Sequence, residues 1–204
     1  MATSSFWNEF LRNALRWSMA MRSGQQRMVF HSIDELLQSH GLPFCFDLTI
    51  DDADCLLILS PEGDTGVAEM IDKLVAAAPK TQAWRILGRR PRKPLADAAA
   101  IVRSLYRLDP LQARFRTYES GGNHLVEMVV PASADLTSDE GLGMINTFLW
   151  HAFGEEFVMN HGIQGKVRWD DTPPFPTVSA EELFAIVRPH GSGRGTVKVR
   201  ESLS

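Results

Sequence analysis

One pair of side chains stands at a spacing that could do chemistry. His151 and Glu155 are four residues apart in a long amphipathic run, so a helix would set them one turn apart on one face. A histidine and a carboxylate so placed can share a proton or offer two ligands to a metal. Glu156 adjoins them and His161 lies close in sequence. The order is H-x-x-x-E, not the H-E-x-x-H of zinc peptidase helices, and a third ligand would have to come from elsewhere. His151 and Glu155 also fit a plainer role at the border of the helix's apolar stripe. These three residues, His151, Glu155 and His161, are the candidates for a hydrolase or transferase.

The other candidate chemistry is cationic. Arg89-Arg90-Pro91-Arg92-Lys93-Pro94 is the densest positive run in the chain. Arginines there could clamp a phosphate or a carboxylate, and the prolines keep the run extended. It reads equally as a solvated connector. A second group sits in 112–119, which alternates as a strand. Arg114, Arg116 and Tyr118 fall on one face and Phe115 on the other. With Lys166-Val167-Arg168-Trp169 nearby, that face would form an anion- or RNA-binding platform. The binding candidates are therefore Arg89, Arg90, Arg92, Lys93, Arg114, Arg116 and Tyr118.

Several other features reduce to local structure. The acidic group Asp47, Asp51, Asp52 and Asp54 lacks the ordered ligand spacing of a calcium loop, and turn chemistry accounts for it. No metal site is expected. Glu62-Gly63-Asp64-Thr65-Gly66 lacks the Gly-Lys-Ser/Thr ending of a phosphate loop, and its acids would repel phosphate. The later Gly-Ser-Gly-Arg-Gly string at 191–195 has no strand before it and no helix after it. His124 and Glu127 point to opposite faces of one strand. No G-x-S-x-G elbow occurs. Cys45 and Cys55 could meet across a hairpin, but read more simply as two reduced, partly buried thiols. No cofactor is expected.

The elements that position these residues follow from periodicity. Residues 5–21 make an amphipathic helix with Phe6, Phe10, Leu11, Ala14, Leu15, Trp17 and Met21 at helical spacing. Arg12, Arg16 and Arg22 near it invite a membrane-surface reading, and docking on the domain or on a second subunit explains it as well. Residues 32–40 read as a helix capped by Ser32 with Glu35 three on. Residues 44–60 alternate as an antiparallel hairpin. A helix over 65–78 and a strand over 83–88 follow, then a helix over 95–107. Residues 112–130 are a second hairpin, with Ser120-Gly121-Gly122-Asn123 at its turn. A long helix to about Asn160 and a strand over 165–169 complete the same order. Asp170–Pro176 reads as a rigid linker, Ser179 as the cap of a short helix, and the residues TVKVR as an edge strand.

The fold class expected is α+β: two related strand–strand–helix–strand units with mixed sheet, plus N-terminal helices and a basic C-terminal tail. The segments are 1–43 (N-terminal helices), 44–94 (first unit), 95–111 (connecting helix), 112–170 (second unit) and 171–204 (proline linker, short helix, tail with Arg188, Arg194, Lys198 and Arg200). With 204 residues, 44% hydrophobic and 23% charged, the composition is that of a globular protein that needs no staples. A formal net charge of -4 argues against a generic nucleic-acid binder. No apolar run is long enough to span a membrane, and no signal sequence is evident, so the cytoplasm is the expected compartment.

The run LLILSPEGDTGVAEMIDKLVAAAPKTQAWRILGRRPRK at 56–93, with RFRTY and HLVEMVVP later, resembles a family of uncharacterised bacterial proteins over residues 44–169. That resemblance implies a fold and carries no catalytic residue. The functional expectation is a protein-interaction or accessory protein, of immunity-like type, with a protein partner or a second copy as its ligand.

Overall fold

In the computed structural model of the chain, residues 2–51 and 54–187 are described. The chain divides into two compact units, the first ending at Arg90 and the second beginning at Pro91. The expected α+β class holds, and each unit contains a mixed three-stranded sheet.

The first unit opens with α1 (Ala2–Arg22) and α2 (Gln26–Ser39). Phe6, Trp7, Phe10, Ala14, Trp17 and Met21 recur at helical spacing on α1, and all are buried. Phe10 sits at the centre of an aromatic cluster, 5.4 Å from Trp7, 5.5 Å from Trp17 and 5.5 Å from Trp84. Two indoles also lock elements together. Trp7 Nε1 donates to the Leu74 carbonyl at 2.9 Å, and Trp84 Nε1 donates to that of Ala14 at 2.8 Å. The second helix starts earlier than the Ser32 cap implied. Val29 and Ile33 extend its apolar stripe back to Gln26, and Ser32 Oγ donates within the helix to the Met28 carbonyl.

The sheet of this unit has β1 (Cys45–Asp51) antiparallel to β2 (Asp54–Ser60) and β2 parallel to β3 (Trp84–Leu87). Phe46, Leu48, Ile50, Cys55, Leu57, Leu59, Trp84 and Ile86 face the helices. Leu56 and Ile58 on the other side of β2 are buried too, which explains its unbroken apolar run. Between β2 and β3 runs α3 (Thr65–Ala76). Asp64 caps it, accepting from the Gly66 and Val67 amides, and Ile71 and Leu74 dock on the core.

The second unit repeats the order. It opens with α4 (Leu95–Tyr106), followed by a 3-10 turn at Pro110–Gln112 capped by Asp109. Then come β4 (Arg114–Ser120), antiparallel to β5 (Asn123–Val130), and β6 (Ile163–Trp169), parallel to β5. Gly121 and Gly122 turn the hairpin at φ +60° and +80°, where side chains are disfavoured. Ala98 and Val102 of α4 join Phe115, Met128 and Phe148 in the core of this unit, so α4 packs as part of it.

The long helix expected up to Asn160 is two helices, α5 (Ser138–Phe153) and α6 (Glu155–Asn160). Gly154, at φ +87°, separates them. A β-carbon there would come within 3.3 Å of the Arg92 amide nitrogen, and the neighbouring Lys93 amide donates to the His151 carbonyl at 2.8 Å. The space at the break between the two helices is thus filled by the backbone of residues 92–93. The 170–176 segment does not stand off as a linker. It leads into Val178, which exchanges two backbone hydrogen bonds with Phe115 at the edge of β4. Ser179 then caps α7 (Ala180–Ile186) with a capping box to Glu182, as its spacing implied. The basic tail and its expected strand lie outside the described residues.

Candidate functional site

The two strands flanking β5 converge on one chemical surface. Alternation places Arg114, Arg116 and Tyr118 of β4 opposite the core side, and Gln164, Lys166 and Arg168 of β6 do the same. Register sets them in rows. Arg116 pairs with Glu127, which pairs with Lys166; Arg114 pairs with Val129, which pairs with Arg168. Four cations therefore surround one carboxylate on a single sheet face. Glu127 is 5% exposed, and Arg168 Nε donates to it at 3.2 Å.

The arginines are held in place. The Arg116 guanidinium carbon lies 4.6 Å from the Tyr118 ring centroid and 4.3 Å from that of Phe175. Arg168 lies 5.2 Å from the same Phe175 ring. Stacking on ring faces lowers the rotamer freedom of a guanidinium without consuming its N–H donors. Arg114 is tied to the returning segment, donating to Thr177 Oγ1 at 3.1 Å and to the Thr177 carbonyl at 2.8 Å. On the core side of this sheet a recess of about 20 Å³, lined by Thr117, His124, Val126 and Ile186, has room for a water molecule at most. The arrangement suits the capture of a carboxylate or phosphate at the surface, not the enclosure of a small substrate. Phe175 is not among the residues singled out from the sequence; Arg116 stands 59 residues before it, so their contact left no local signal.

The basic connector is divided. Arg89 donates to Gly88 and Ala68 carbonyls and pairs with Asp72 at 3.1 Å. Arg90 is 8% exposed and is bound by Asp47 at 2.8 Å, Ser60 at 2.5 Å and Glu62 at 3.5 Å. Both belong to the first unit. Arg92 and Lys93 open the second, with the Arg92 guanidinium 4.2 Å from the Phe184 ring. Of the four, Arg89 and Arg90 spend their charge on carboxylates of this chain.

His151 and Glu155 fall on opposite sides of the break at Gly154, at 7% and 0% exposure. His161 ends α6, its Nδ1 2.9 Å from the Phe157 carbonyl and its ring 4.0 Å from that of Phe157. Among the described residues no three histidine, cysteine or acidic side chains are grouped so as to hold a metal. Asp47 and Asp51 of the acidic turn are engaged by Arg90 and by Arg85, the latter at 2.6 Å. Cys45 lies opposite Ser60 and Cys55 opposite Ile50, so they do not meet across the hairpin; both are free thiols. Burial raises the pKa of each, and at Cys45 the Glu62 carboxylate raises it further, which makes both poor nucleophiles.

No family model matches the chain, and neither does any curated protein or any solved structure. No helix among the described residues is long and apolar enough to cross a membrane.

Proposed function

We propose that this chain is a protein-interaction or accessory protein that grips an acidic partner through the outward face of its second sheet. The observation that carries this reading is Arg116, stacked between Tyr118 and Phe175 and flanked by Arg114, Lys166 and Arg168. The face has four cations and one carboxylate in a chain of formal net charge -4. A concentration of charge opposite to the molecule's own sign favours a specific partner over diffuse attraction. Fixed arginines and a tyrosine are also the residue types that anchor interfaces.

The test compares tagged wild type with the Arg114→Glu/Arg116→Glu variant in recovery from the source cells. Circular dichroism first establishes that the variant is folded. A protein lost from the variant is purified and titrated against both forms at rising salt. The expected result is roughly a tenfold or greater loss of affinity in the variant and weakening with salt. Equal recovery and equal affinity would overturn the reading. Recovery of nucleic acid that nuclease removes would instead assign the same arginines to phosphates.

A further inference from the structure

The exposed side of α1 has a composition its folding role does not require. Leu11, Leu15 and Met19 are 44%, 70% and 64% exposed, and they follow one another at i, i+4 and i+8. Helical spacing makes them a straight stripe on the side opposite Phe6, Phe10 and Trp17. Eight residues at 1.5 Å rise give it a length of about 12 Å. Arg12 and Arg16, both exposed, run along one flank. The first 33 residues have four arginines and one carboxylate, Glu9, which lies on the same flank as Arg12 and Arg16. An isolated exposed leucine is ordinary, but three in register beside arginines are not.

We infer that this face seats α1 on an anionic lipid surface, with the stripe dipping into the headgroup boundary. The long arginine stems cover apolar surface while their guanidiniums reach lipid phosphates. A second copy paired antiparallel on the stripe would set the arginine flank against itself, with Glu9 the one carboxylate beside it in the first 33 residues. This docking surface lies in the first unit and is independent of the arginine face in the second.

The test is sedimentation of the full chain with vesicles of equimolar phosphatidylglycerol and phosphatidylcholine, and with phosphatidylcholine alone, at low and high salt. Binding is expected to the first vesicles only, and to weaken with salt. Arg12→Glu should lower partitioning about fivefold or more, since each arginine near such a surface contributes about that factor. Leu15→Glu should abolish it, and Leu15 is exposed enough for the fold to tolerate the change. Absence of binding to anionic vesicles at low salt would overturn the inference. So would equal binding by wild type and Leu15→Glu. A concentration-dependent dimer by light scattering that Leu15→Glu removes, without vesicle binding, would assign the face to self-association and equally overturn it.

Discussion

At the residue scale, glycine marks the places where the second unit is tightest. A β-carbon on Gly165 would lie 2.6 Å from Asn146 Oδ1 and 2.7 Å from Ile145 Cγ2. The strand β6 therefore approaches α5 closely only because this position lacks a side chain. Gly165→Ala should destabilise the protein by about 2 kcal/mol, the usual cost of overpacking, in a denaturant titration with unchanged slope. Legibility in the sequence differed by residue in the same way. Arg114, Arg116 and Tyr118 could be placed on one face by alternation alone. Phe175, which completes the stack on Arg116, could not, because its position depends on Val178 pairing with a strand more than sixty residues earlier. Arg90 read as part of an exposed basic run, but its partners Asp47 and Ser60 come from a hairpin some thirty to forty residues before it.

At the element scale, both hairpins were legible because period-2 alternation is local and dense. The break at Gly154 was not. Ala152 and Phe153 before it and Phe157 and Val158 after it continue the apolar pattern, so the sequence reads as one helix. What breaks it is the backbone of residues 92–93, far away in the chain. Helix starts carry a second prediction. Glu140 and Glu182 accept from the backbone amides of Thr137 and Ser179, and these bonds hold both carboxyls below their ordinary 4.5. A carboxyl whose pKa is lowered by folding stabilises above its unfolded pKa, and that contribution disappears as pH falls through the lowered value. Thermal midpoints should therefore drop on acidification below about pH 4.5, and the drop should be smaller in a Glu140→Gln/Glu182→Gln variant. Thr137→Ala and Ser179→Ala should each cost about 1 kcal/mol at neutral pH.

At the scale of the whole molecule, the two units share one plan: a hairpin, a helical crossover and a parallel third strand beside the second. In each, the second strand is hydrogen-bonded on both sides and buried on both faces. Hydrogen exchange should accordingly be slowest in β2 and β5, and faster in β3, which has four residues and one neighbour among the described strands. Fast exchange in β2 with protection in β3 would contradict this order. The plan also separates the two proposed surfaces, the lipid-facing helix in one unit and the arginine face in the other, so a variant in either can be tested without touching the other's core.

The aromatic cluster around Phe10 has an optical consequence. Of the five tryptophans, Trp7, Trp17 and Trp84 are sealed in the first unit at 3%, 2% and 4% exposure, while Trp150 and Trp169 of the second are only half-buried. Indole emission moves to longer wavelength as water reaches the ring. The native spectrum is thus the sum of a blue component from one unit and a redder one from the other. The protein carries its own pair of colours, and a single melting curve read at two wavelengths would show whether its halves come apart together or in turn.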